Sequence, residues 1–200
     1  MNTYINETGR KVNYNRYEAR EIELINQFIE PDDCVLELGA RYGGTSCAIN
    51  KILKDKNKQV SVEPDAKVWE ALEINKKNND CHFHILKGTI SKKPQKIVLS
   101  DRTFGDGNQW ATYTEPASDS LGVANYPLPL LPFNVLFVDC EGFLETFYEE
   151  NKELFPQLRL IIIEKDRPEA CDYNKLINIF HSLGFKTVID GFHSVFIKSN

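Results

Sequence analysis

Four apolar runs in this chain carry a carboxylic acid at or near their ends: residues 34–38 include Glu37, 59–63 end on Glu63, 135–139 on Asp139 and 158–164 on Glu164. Short apolar runs bounded by turn residues read as strands buried on both faces, the pattern of a parallel sheet. In an open parallel sheet the carboxyl ends of the strands share one edge. Ligands bind in the crevice there, where the strand order reverses. One acid at a strand end means little, but several at one edge beside a glycine turn mark a polar site on an apolar scaffold.

The segments between these runs alternate with them. Residues 16–29 place Ala19, Ile22, Ile25 and Ile29 on one helical stripe, and Pro31-Asp32-Asp33 ends it. Helices are expected over 43–54, over 65–78 behind Pro64, over 143–154 and over 172–183, the last with Gly184 as its C-cap. A third strand is expected at 82–86. The chain closes with strands 185–190 and 193–198 around Asp190-Gly191, a hairpin signal. The expected class is α/β: a Rossmann-like, mostly parallel, doubly wound sheet with a C-terminal antiparallel hairpin.

All of 1–200 reads as a single domain, with an N-terminal helical segment over 1–33. Residues 89–133 are irregular and rich in Gly and Pro. So long a stretch without periodicity reads as a lid or acceptor-binding excursion. Residues 97–99 and 110–113 are candidates to pair as a hairpin inside it.

Composition excludes some partners. The net charge is −5, and no cationic run of the kind that tracks phosphates is present, so nucleic acid is not the expected partner. No apolar stretch approaches membrane-spanning length, and the first residues lack a signal-peptide pattern. Five cysteines lie singly, at 34, 47, 81, 140 and 171, which fits a reducing compartment. A cytoplasmic location is expected.

The turn after the first strand reads Gly39-Ala40-Arg41-Tyr42-Gly43-Gly44, and the next strand ends on Glu63-Pro64-Asp65. A glycine turn followed by an acid at the next strand end suits an adenosine ligand whose ribose hydroxyls meet that acid. A dinucleotide fingerprint needs a second glycine where this chain has Arg41, and Glu37 beside a pyrophosphate would be repulsive. S-adenosylmethionine carries a sulfonium and an ammonium but no phosphate, and fits better.

Glu37-Leu-Gly-Ala-Arg-Tyr-Gly43-Gly-Thr45-Ser resembles the first motif of class I S-adenosylmethionine-dependent methyltransferases, in particular the FkbM-like branch. Val62-Glu63-Pro64-Asp65 resembles its second motif, Phe137-Val138-Asp139-Cys140-Glu141-Gly142 its third, and Ile161-Ile162-Ile163-Glu164 the strand that follows. The likeness runs from residue 34 to about 197. It departs at Arg41, where the branch has Asn, and at 101–125, which do not align.

The resemblance implies a class I methyltransferase fold and assigns roles. Glu37, Gly39, Ala40 and Gly43 would cradle the methionine part of the cofactor. Glu63 would take the ribose, and Pro64, Asp65, Gly88 and Thr89 would border the adenine. Asp139 and Glu141 would face the transferred methyl group. It further implies O-methyl transfer to a hydroxyl of a sugar, glycan or related small molecule.

Such an acceptor must lose a proton, and Asp139 is the first candidate base, with His193 a second. Asp139, Glu164 and Asp166 could together offer an oxygen set for Mg²⁺. The aromatics Trp110, Tyr113 and Tyr126 and the cations Arg41 and Arg102 are candidate acceptor contacts, and Trp69 reads as core packing. The alternatives are an NAD-dependent oxidoreductase and a non-catalytic adenosine-binding module.

Overall fold

The computed structural model describes residues 3–13, 18–99, 112–118 and 122–198. Its centre is a seven-stranded sheet. In chain order the strands are β1 (Val35–Leu38), β2 (Gln59–Glu63), β3 (His84–Lys87), β4 (Val135–Val138), β5 (Leu160–Glu164), β6 (Phe185–Ile189) and β7 (His193–Lys198). Spatially they run β6-β7-β5-β4-β1-β2-β3. All pairings from β3 to β5 are parallel, while β7 runs antiparallel to both β5 and β6. The expected architecture, parallel with a C-terminal hairpin, is the one found.

Helices α1 (Ala19–Phe28), α2 (Gly44–Ile52), α3 (Trp69–Asn78), α4 (Leu144–Glu150) and α5 (Tyr173–Ser182) complete the α/β frame. The first three strands fill one side and β4 begins the other, so the strand order reverses between β1 and β4. Burial explains the strand sequences: Val35, Leu36, Val135, Leu136, Leu160 and Ile161 are fully enclosed, as central parallel strands require. Phe155, Phe180 and Phe196 pack ring on ring in the largest core cluster, alongside Phe147 and Phe185. Helix α5 starts where the Asp172 carboxylate accepts from the Lys175 amide at 2.9 Å, and Gly184 at φ +90° follows its last turn, as anticipated.

Several sequence expectations are corrected. Residues 3–13 are not helical: Tyr4–Ile5 pairs antiparallel with Lys11–Val12, and the only described helix within 1–33 is α1. Residues 16 and 17 of the expected helix lie outside the described residues. The buried face of α1 is Glu21, Leu24 and Ile25, rotated from the apolar stripe, and Ala19 is exposed. Pro64 does not open α3, which begins only at Trp69. Trp69 is not core packing. Its indole N–H donates to the Glu63 carbonyl at 2.8 Å and pins the end of β2.

Inside the excursion, Gln95–Leu99 pairs antiparallel with Thr112–Pro116, setting Val98 opposite Tyr113. Trp110 and Arg102 lie outside the described residues.

At the amino ends of the strands, Asp33 is 2% exposed and accepts from Arg159 Nε at 2.7 Å, from a second guanidinium nitrogen, and from Asn134 Nδ2 at 2.9 Å. This fork ties the approaches to β1, β4 and β5. Asp33→Ala leaves a partly buried guanidinium without its carboxylate, and we expect a loss of about 3 kcal/mol in urea denaturation. A loss below about 1 kcal/mol would reduce the fork to a surface ion pair.

Candidate functional site

The carboxyl ends of β1, β2 and β4 are stitched together by backbone. The Gly39 and Ala40 amides both donate to the Val62 carbonyl at 3.0 Å, Gly88 N–H to the Glu63 carbonyl at 3.0 Å, and Asp139 N–H to the Leu38 carbonyl at 2.9 Å. Gly39 has φ +95°, and a Cβ there would lie 1.6 Å from the Asp139 carbonyl oxygen. No residue with a side chain fits. The glycine is therefore required where two strand ends cross, independently of any ligand.

Above this crossing lies a cavity of about 510 Å³, within the usual range for small-molecule sites. Of the expected site residues, Gly39, Glu63, Pro64, Thr89, Asp139, Glu141, Glu164 and His193 line it. Arg41 and Tyr113 also line it, as two of the candidate acceptor contacts.

Glu37, Ala40, Gly43, Asp65, Gly88 and Asp166 do not, and sit behind the wall. Glu37 is fully enclosed, accepting from Thr45 Oγ1 at 2.7 Å and from the Ser61 hydroxyl. It braces the turn from beneath, and burial raises its pKa. Gly43, at φ +82°, precedes α2 and leaves room for Leu72. Gly88 passes the Ala124 carbonyl where a Cβ would come within 2.2 Å. Asp166 accepts from the Tyr173 hydroxyl at 2.8 Å.

Glu63 is held by local backbone. Its oxygens accept from the Arg41 amide at 2.7 Å and the Asp65 amide at 2.8 Å. Arg41 adopts φ +45° to present that amide. Its guanidinium reaches Asp65 and Thr112 Oγ1, both at 3.4 Å, which links the turn to the 112–116 strand of the excursion. Tyr113 beside it lies under the Arg167 guanidinium, 3.3 Å from the ring centroid. Thr112, Tyr113 and Thr114 thus form one wall of the cavity.

The lining is mostly acidic. Six carboxylic side chains line the cavity (Glu18, Glu21, Glu63, Asp139, Glu141 and Glu164), against Arg20, Arg41 and His193 among the described residues. Burial, then repulsion from Glu164 and Asp166, pushes Asp139 well above the ordinary carboxylate range. Its side chain has no hydrogen-bond partner among the described residues.

His193 Nε2 lies 2.9 Å from Glu21 and 3.2 Å from Glu164, contacts that raise its pKa to about 9. With both carboxylates on Nε2, the geometry favours an ion-paired ring over the expected role of a second base. The cause is the register: β5 and β7 pair Glu164 directly with His193.

Glu18 and Glu21 were not anticipated. Both are buried, Glu21 in α1 and Glu18 just before it, and Glu18 accepts from the Thr45 amide in the first turn of α2 at 3.2 Å. Their signal was spacing. Glu21 precedes Ile25 by one helical turn and Glu18 by two, the spacing of a shared face.

Burial pushes Glu63 up to about 7, above its ordinary 4.5. A carboxyl raised on folding contributes stability that is full below pH 4.5 and is lost as pH rises through about 7. The stability difference between wild type and Glu63→Gln, followed by urea denaturation, should therefore shift against wild type across that window. A pH-independent difference would mean that the carboxyl is not desolvated.

No protein-family model matches this chain, and no curated protein sequence matches it. Among solved structures it is similar to cofactor-bound Rv0187 from MTB, 13% identical over 89% of this chain and 77% of that one, with a TM-score of 0.52. It is also similar to an O-methyltransferase from Bacillus cereus in complex with SAH, 12% identical over 90% and 81% with a TM-score of 0.50. An rRNA methylase from Streptococcus thermophilus is 8% identical over 94% of this chain and 100% of that one, with a TM-score of 0.50. At such identities the likeness is one of fold: the chain has the Rossmann-like α/β fold of these methyltransferases.

Proposed function

We propose that this protein is an S-adenosylmethionine-dependent O-methyltransferase acting on a hydroxyl of a sugar, glycan or related small molecule. The observation that carries the reading is that one cavity is lined by both Glu63 at the β2 end and Asp139 after β4, whose side chain has no hydrogen-bond partner among the described residues. The excess of carboxylates suits a sulfonium and an ammonium and repels a pyrophosphate, which disfavours the NAD reading and a nucleic-acid acceptor. The FkbM-like resemblance of the three motifs agrees with this choice and supplies the hydroxyl acceptor.

When bound, the cofactor supplies a methyl group on a sulfonium leaving group. The chain positions and deprotonates. Glu63 would accept from the ribose hydroxyls, Gly39 would let the backbone come close, and Pro64 and Thr89 would border the adenine. Glu37, Ala40, Gly43, Asp65 and Gly88 act through the backbone they hold. Asp139 would take the proton of the acceptor hydroxyl once the positive charge of a bound cofactor offsets the burial and the carboxylate repulsion that otherwise favour its neutral form. Glu141 faces the acceptor. Thr112 and Tyr113 form the acceptor side and help exclude water.

The oxygens of Asp139, Glu164 and Asp166 lie within 4.8 Å of one another, a set that fits Mg²⁺. These residues would hold the ion, which would supply Lewis-acid polarisation of the acceptor oxygen. No helix among the described residues is long and apolar enough to cross a membrane, and all five cysteines are free thiols. We assign the protein to the cytoplasm.

Calorimetry should detect S-adenosylhomocysteine but not NAD. Loss of the charge-assisted ribose contacts in Glu63→Ala should weaken binding about 10- to 100-fold. No binding of S-adenosylhomocysteine by wild type would overturn the reading.

With an active acceptor in hand, Asp139→Asn should retain the cofactor and lose about 10²- to 10⁴-fold in methyl transfer. Wild-type turnover in that variant would remove the base assignment, and binding without turnover on any acceptor would leave a binding module. Insensitivity to EDTA would exclude a required, chelatable ion.

A further inference from the structure

We propose that Glu21, Glu164 and His193 form a binding site for a first-row transition-metal dication, an alternative to the all-oxygen set, with which it shares Glu164. Three elements deliver the donors: Glu21 from α1, Glu164 from the end of β5 and His193 from the start of β7. One oxygen from each carboxylate and one imidazole nitrogen lie within 4.8 Å of one another, and all three side chains line the cavity.

The spacing is that of a coordination shell. Ligands about 2.0 Å from a tetrahedral Zn²⁺ lie about 3.3 Å apart along each edge. The two edges from His193 Nε2 are 2.9 Å to Glu21 Oε1 and 3.2 Å to Glu164 Oε2. A single ring nitrogen thus faces the gap between two carboxylate oxygens, where an ion would take the place of the proton they now share.

The arrangement is costly without an occupant. Two carboxylic side chains 10% and 18% exposed are brought together around one imidazole, with Glu18 and Asp139 close by. A dication offsets that concentration of negative charge. The imidazole sets the preference: a nitrogen donor favours Zn²⁺ or Co²⁺, whereas the carboxylates of Asp139, Glu164 and Asp166 suit Mg²⁺. Because all three side chains line the cavity, a water or an acceptor oxygen there would complete a tetrahedral shell.

The β5–β7 register is what creates the site. Glu164 and His193 are cross-strand partners, so their donors meet without any loop having to order.

The test uses the full-length protein, freed of metal by chelator and titrated with Zn²⁺ by calorimetry and with Co²⁺ by visible absorption. We expect one ion per chain with the intense visible bands of a low-coordinate Co²⁺ site. His193→Gln and Glu21→Gln should each weaken binding about tenfold or more, whereas Asp166→Asn should leave it within about twofold.

Circular dichroism and melting of each variant identify any that fail to fold, and Glu21→Gln carries the test if His193→Gln is one of them. Two results would overturn the proposal. One is the absence of Zn²⁺ and Co²⁺ binding, which leaves a proton-bridged ion pair. The other is binding that survives His193→Gln but is lost in Asp166→Asn, which moves the ion to the oxygen set.

Discussion

The site depends on the crossing of Gly39 and the Asp139 carbonyl. A methyl group at position 39 would overlap that oxygen, so the ends of β1 and β4 can lie side by side only because residue 39 has no side chain. Their contact brings Asp139 and the Glu63 end of β2 to the same cavity. The amides of Gly39 and Ala40 on the Val62 carbonyl lock the three strand ends together. The residue that looks like a ligand-binding glycine is first a packing residue.

Around that crossing the chain gathers charge that would be unfavourable elsewhere. Glu63 is neutralised in part by two backbone amides and by Arg41, Glu37 by hydroxyls beneath the turn, and Glu21 and Glu164 by His193. Asp139 alone among these has no hydrogen-bond partner among the described residues, and burial favours its protonated form. An apolar sheet supplies the rigidity, and the carboxylates at its edge supply a field suited to a cation. The fold shared with methyltransferases places the cavity, whereas the charge within it belongs to this sequence.

Much of this was legible in the residues. Period and turn chemistry gave strands within a residue or two, the parallel order and the terminal hairpin, because buried strands must be apolar and Asp190-Gly191 permits a tight turn. The acids Glu63, Asp139, Glu141 and Glu164 were legible as strand-end residues. Glu37 was legible as an acid but not in its role, since it meets Thr45 and Ser61 and not the cavity. Trp69 looked apolar, yet its indole N–H serves the Glu63 carbonyl.

The sequence by itself determined the class of fold and which strand ends carry carboxylates, because these follow from local pattern along the chain. Only the tertiary structure decided which of those carboxylates share a cavity and which stay behind its wall. Contacts between residues far apart in the chain have no local signature. Glu21 reaches His193 across 172 positions. It was this long-range placement, through the pairing of β5 with β7 and the seating of α1, that set His193 between two carboxylates and brought a helix glutamate to the cavity.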